Sequence, residues 1–193
     1  MVVFQLNTPR SRLPLVLAFF LIVCAACSYP STFVFASPAD APANEVYFSP
    51  NGGATGAILR ELNNAKKEIL VQAFSLTSPS IGNALVNAHR RGVKVIVILD
   101  KGQQGKKFAT ADFFFFAGIP TCLDDQHQVA HNNIIIIDQS TVITGSMAFT
   151  RAAEERNAEN LLVIRGDVTL GKKYFLKFQE HLGHSEAYKV EGS

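Results

Sequence analysis

The chain has 193 residues, 48% of them hydrophobic, with 18 basic and 16 acidic side chains. That suffices for one domain with a packed core. The net charge of +2 comes from Arg10 and Arg12, because residues 1–36 carry no other charged side chain and the remainder is neutral. A neutral domain exerts no global pull on nucleic acid or acidic lipid, so any polyanion binding must come from a local patch.

The first residues read as an export leader. Arg10 and Arg12 precede an apolar run, residues 13–26, that is too short for a comfortable membrane span and suits a signal core. Small residues at Val34 and Ala36 place cleavage after Ala36, which predicts a periplasmic or secreted protein with no stable membrane span. Lipoprotein processing at Cys27 and an uncleaved anchor are the alternatives. Cys24 and Cys27 lie in the leader, so Cys122 is left without an internal disulfide partner. It is either a free, partly buried thiol or a bridge between two chains.

Residues 37–44, rich in Ala and Pro, form a linker, residues 45–183 the domain, and residues 184–193 a polar tail expected to fray. Residues 45–48 make a short strand and 49–53 a Gly-containing turn, whose Gly52-Gly53 pair is only a weak candidate for cradling phosphate. Residues 54–67 carry helical spacing at Ile58, Leu59 and Leu62. A strand at 68–75, a helix to about Arg91 capped by Ser78 or Ser80, and a strand at 93–99 form a βαβ unit with parallel strands. The loop at 100–107 holds Lys101, Lys106 and Lys107, the densest basic cluster; a solvated loop and a substrate-backbone contact weigh equally there. Residues 108–117 read as a helix whose four consecutive phenylalanines must be deeply buried or meet a partner chain. A short strand ends at Leu123. His127 and His131 flank a strand start rather than sharing a helical face, which argues against a metal site between them. Residues 159–164 predict a strand and 168–181 an amphipathic helix.

Residues 129–138 form the strongest strand, with four consecutive isoleucines, and residues 141–145 a second one, separated by Gln139 and Ser140. Pairing Asp138 with Thr141 sets Asn133 opposite Ser146 and His131 opposite Ala148. Alternation then gathers His131, Asn133 and Ser146 on one face and turns Asp138 away. A lone histidine on an apolar strand is more often structural than catalytic; polar neighbours on both strands shift the reading toward function.

His131-x-Asn133-x4-Asp138, followed by Gly145-Ser146-Met147-Ala148, resembles the signature of the phospholipase D superfamily, His-x-Lys-x4-Asp with Gly-Ser-x-Asn. The flanks, residues 152–154 and 157–160, look like its small single-motif bacterial endonucleases of the Nuc type, and the likeness runs from about Val46 to about His181. Two positions depart from the signature: Asn133 stands at the lysine and Ala148 at the asparagine of Gly-Ser-x-Asn, both phosphate contacts in the family. The resemblance implies an α-β-α sandwich, a mixed, largely parallel sheet with helices on both faces. It also implies metal-free, two-step phosphodiester hydrolysis through a phosphohistidine, with no cofactor. One motif copy supplies one histidine, so a homodimer is expected to bring two His131 rings to a shared site. Glu159 matches the glutamate that hydrogen-bonds the nucleophile, Asn133 and Ser146 match phosphate contacts, and Asp138 is assigned a structural role. Three functions follow: an exported nuclease, a phospholipase D on phosphatidylcholine-type lipids, or a catalytically impaired homologue that binds phosphate ligands.

Overall fold

The computed structural model describes residues 44–103 and 110–190. The leader, its cleavage and lipidation positions, Lys106, Lys107 and the first residues of the Phe-rich helix lie outside the described residues. In chain order the elements are β1 (Glu45–Phe48), α1 (Ala54–Asn64), β2 (Glu68–Ala73), α2 (Pro79–Arg90), β3 (Lys94–Asp100), α3 (Thr110–Phe116), β4 (Thr121–Asp124), β5 (Asn133–Ile137), β6 (Thr141–Thr144), α4 (Arg151–Glu155), β7 (Asn160–Ile164), α5 (Val168–His184) and β8 (Glu186–Ala187). Among the described residues no helix is long and apolar enough to cross a membrane.

The strands form one mixed sheet in the order β1-β7-β6-β5-β2-β3-β4-β8. The expected predominance of parallel pairs is not found. Only β2–β3 and β3–β4 are parallel, and every other neighbour is antiparallel. Parallel neighbours need a crossover segment, which α2 and α3 supply on one side of β2. After β4 the chain instead returns to the other side of β2 for β5, β6 and β7, and α5 carries it back to β8 beside β4.

Alternation along the strands makes two cores. Ile69, Val71, Val97, Leu99, Ile135, Ile143 and Val163 face α1, α2 and Phe114 of α3. Leu70, Ile98 and Ile136 face Phe178 of α5, so helices cover both faces as expected. Ile135 and Ile136 are fully buried, each contributing about 1.5–3 kcal/mol over an exposed position. In α3, Phe114 is buried while Phe113 and Phe116 face solvent. Cys122 is a free, half-buried thiol whose pKa burial raises.

The hairpin register differs from the expected one by a residue. Ile137, not Asp138, pairs with Thr141, and Ile134 pairs with Thr144. Asp138 and Gln139 occupy the turn with φ of 51° and 55°, and Ser140 N–H donates to the Ile137 carbonyl at 3.1 Å. Positive φ at both central residues marks a type I′ turn, whose twist suits a hairpin and which Asp tolerates better than most residues. Asp138 is held there because its carboxylate accepts the backbone N–H groups of Lys66, Lys67 and Glu68 at 2.9, 2.7 and 2.9 Å. Gly171 of α5 lies against the same turn, where a Cβ would stand 2.1 Å from the Gln139 carbonyl oxygen.

The expected frayed tail is also corrected. Helix α5 runs through His184, and β8 pairs with β4. Tyr188 N–H donates to the Thr121 carbonyl and its hydroxyl to Asp112. Backbone donors and an aromatic ring offset the polar composition that suggested fraying.

Burial alone would raise the pKa of Asp138, but the backbone donors of Glu68, Lys66 and Lys67 outweigh it and hold the carboxyl below its usual range. A depressed folded pKa contributes stability that is present above the unfolded value and lost as pH falls through the folded one. Asp138→Ala is therefore expected to cost about 1–3 kcal/mol at neutral pH. Its gap from the parent should narrow below about pH 4, as read by urea unfolding at both pH values. Gly171→Ala should cost about 1–3 kcal/mol through overpacking, measured in the same way.

Candidate active site

The end of β5 away from the Asp138 turn carries the candidate nucleophile. His131 lies just outside the regular strand, exposed, with its ring stacked on Phe74 at 4.6 Å between centroids. Its backbone is pinned on both sides. Phe74 N–H donates to the Asn132 carbonyl at 3.1 Å, and Ala130 N–H donates to Asp100 Oδ2 at 2.8 Å. Asp100 is buried and also accepts the Gly102 N–H at 2.7 Å. One carboxylate at the end of β3 thus holds both its own loop and the approach to His131.

Asn133 is buried, and its amide donates to the Ser146 carbonyl at 3.3 Å while its Oδ1 has no hydrogen-bond partner. Ser146 does not turn its hydroxyl toward Asn133, as the expected register required. Its Oγ donates to Glu159 at 2.7 Å and accepts the Asn160 N–H at 3.0 Å. Asn157 donates to the other Glu159 oxygen at 3.2 Å, and Ser49 Oγ accepts the Glu159 N–H at 3.1 Å. Gly145 permits this arrangement, because a Cβ there would stand 2.3 Å from the Asn160 carbonyl oxygen. Asn133, Ser146 and Glu159 are therefore joined in one network. Among the described residues no hydrogen bond ties His131 to Glu159. Ala148 is half-buried against the core, and Asp138 stands at the far end of β5.

The segment after Ser146 is stitched across the sheet. Met147 N–H donates to Asn160, Phe149 N–H donates to Ser75, and Thr77 and Ser78 N–H donate to Phe149. Gly53 does not offer a free phosphate cradle, because its N–H and that of Thr55 donate to Glu154 of α4 at 3.1 and 2.7 Å. The Glu154 carboxylate caps α1 where Gly53 has no side chain to do so. Beyond Phe74, Leu76, Pro79, Phe113, Phe114 and Phe116 contribute to a largely apolar pocket of about 540 Å³.

Sequence reasoning missed Phe74, Asp100, Asn157 and Asn160. A polar residue at the end of each of two buried strands was the available signal for Asp100 and Asn160. Only His127 and His131 were weighed as metal ligands; the fold draws His127 instead toward Asp124, His181 and His184.

A histidine and a carboxylate–serine network at the strand ends in the middle of a mixed α/β sheet match a phospholipase D-like domain. Residues 58–182 match the family described as "Cardiolipin synthase, PLD-like domain". A protein named phospholipase D from Rickettsia conorii is 40% identical over 127 residues, which are 66% of this chain and 63% of that protein. The chain thus spans just under two thirds of the length of that relative. Mitochondrial cardiolipin hydrolase of Homo sapiens is 31% identical over 119 residues, 61% of this chain and 47% of that protein. Among solved structures, Nuc from Salmonella typhimurium, a phospholipase D family member, superposes with a TM-score of 0.74 at 35% identity, covering 77% of this chain and 99% of that one. The chain belongs to the phospholipase D superfamily.

Asp100→Ala should release Ala130 and cost about 1–3 kcal/mol, with faster amide exchange at residues 130–132. Unchanged exchange there would show that Asp100 does not position His131.

Proposed function

We propose that this chain is a phosphodiesterase that cleaves nucleic-acid backbone through a covalent phosphohistidine on His131, with a second copy of the chain completing the site. The observation that carries this reading is the placement of His131. Its ring is exposed, braced on Phe74 and fixed through its backbone, two residues before the Asn133 that joins the network holding Glu159. The similarity to Nuc over nearly the whole of that protein supports nucleic acid as the substrate.

In the first step an imidazole nitrogen of His131 attacks phosphorus, the P–N bond forms and the P–O bond to the leaving alcohol breaks. The leaving oxygen takes a proton from His131 of the second copy. In the second step that imidazole removes a proton from water, the hydroxide displaces the histidine, and the phosphomonoester departs. A homodimer follows because one chain supplies one such ring and the reaction uses two. Asn133 donates a neutral hydrogen bond where the superfamily signature has a charged lysine, and Ala148 donates none, which points to slow turnover.

A phospholipid substrate is the second reading. It is favoured by the apolar pocket that begins two residues beyond Phe74 and by the exposed ring of Phe116, together with the name of the Rickettsia relative.

Incubation with bis(p-nitrophenyl) phosphate followed by acid-free mass spectrometry is expected to label His131, with no label in His131→Ala. Plasmid and phosphatidylcholine cleavage run in parallel assign the substrate. A His131→Ala variant as active as the parent would sink the proposal. Asn133→Lys combined with Ala148→Asn is expected to raise turnover by about 100-fold or more.

A further inference from the structure

The last turn of α5 meets the end of β4 at a cluster that the proposed hydrolysis does not use. Asp124 lies on the sheet face covered by α5, and its carboxylate is fully buried. His127 Nδ1 approaches it at 2.9 and 3.0 Å, His181 Nδ1 at 3.0 Å and His184 Nε2 at 3.7 Å. The three imidazole centroids stand 5.0, 5.3 and 5.1 Å apart. His181 and His184 sit three residues apart on one helical face, and Asp124 and His127 are three apart across a turn, so two short segments supply two ligands each.

We propose that Asp124, His127, His181 and His184 bind one divalent transition-metal ion of the zinc type. Each residue offers one donor atom, and these atoms all lie within 4.8 Å of one another. Zinc bonds of about 2.0–2.2 Å place tetrahedral donors roughly 3.3–3.6 Å apart. The contacts in the cluster bracket that spacing, and small ring rotations open it. Three imidazole nitrogens with one carboxylate oxygen form a donor set that zinc accepts readily and that magnesium and calcium do not favour.

Hydrogen bonding alone leaves this cluster unsatisfied. Asp124 engages His127 and His181, yet His184 Nε2 is buried with no hydrogen-bond partner. An ion would occupy that nitrogen together with the other three donors. The His127 side chain is 45% exposed, which gives the ion a route in from solvent. Four protein ligands fill a tetrahedral shell, so the ion is structural. It clamps α5 and the β8 segment to the β4 end, and it fixes the first residues of the loop that leads to His131.

Isothermal titration of the chelator-stripped protein with zinc chloride tests this without reference to activity. The expected result is one zinc per chain, a rise in Tm of about 4 °C or more at saturating zinc, and an X-ray absorption shell of nitrogen and oxygen at about 2.0 Å. The His127→Gln/His184→Gln double variant should keep the parent circular dichroism and lose affinity by more than about 100-fold. Cys122→Ser should bind as the parent does. Should the double variant fail to fold, His127→Gln alone, altered at the most exposed ligand, is expected to bind at least about 10-fold more weakly. Absence of stoichiometric zinc in the parent, parent-like affinity in the ligand variants, or a sulfur shell would overturn the site.

Discussion

Strand β5 admits only one register, and the rest of the molecule is arranged around that fact. It is paired on both edges, to β2 and to β6, and it is buried on both faces. A slip of one residue would exchange its two faces and send Asn133 toward α5. The slip is resisted at both ends. Asp138 locks the turn to three backbone amides of the α1–β2 connection, and the Phe74–Asn132 bond extends the ladder past the last regular pair at the other end. A carboxylate accepting several amide bonds is among the stronger local constraints a protein can build.

The candidate active site inherits its geometry from that strand. His131 is presented where regular pairing stops, so its ring is free of the ladder while its backbone is not. The opposite wall comes from residues 145–149, which leave β6 and cross toward the end of β2. Glu159, just before β7, is tied to that wall through Ser146. Three chain segments far apart in sequence therefore converge through backbone pairing, and their side chains lose little freedom on meeting. Facing that wall, the Oδ1 of Asn133 is buried without a partner, and it lies at the position where the superfamily signature has a longer, charged side chain.

Much of this was readable from residue patterns. The β-branched runs place β3 within a residue of its observed limits and β2 within two, and Gly92 and Pro79 bound α2, but the strand expected over 129–138 is regular only over Asn133–Ile137. The motif residues His131 and Asn133 fall at one end of β5. The one-residue register error had a local cause: Asp138 was counted as a strand residue because nothing near it in sequence reveals its three amide partners, some seventy positions earlier. Ser146 departs from its expected place for the same reason, since its partners, Glu159 and Asn160, lie at and just before the start of β7. The balance of parallel and antiparallel pairs depends on where β5 inserts, and no periodicity encodes that choice. In sequence His127 stands nearest His131, and more than fifty residues separate it from His181 and His184; only the packing of α5 against β4 unites the three.

The two-residue strand β8 also shields its neighbour. Without it, β4 would present a bare row of amides and carbonyls at one margin of the sheet, the type of surface that recruits foreign chains. Trimming the polypeptide before residue 186 would therefore leave the helical layers in place and yet yield material that self-associates on concentration. A purification handle is better joined through a spacer beyond Tyr188, whose ring and amide close that margin.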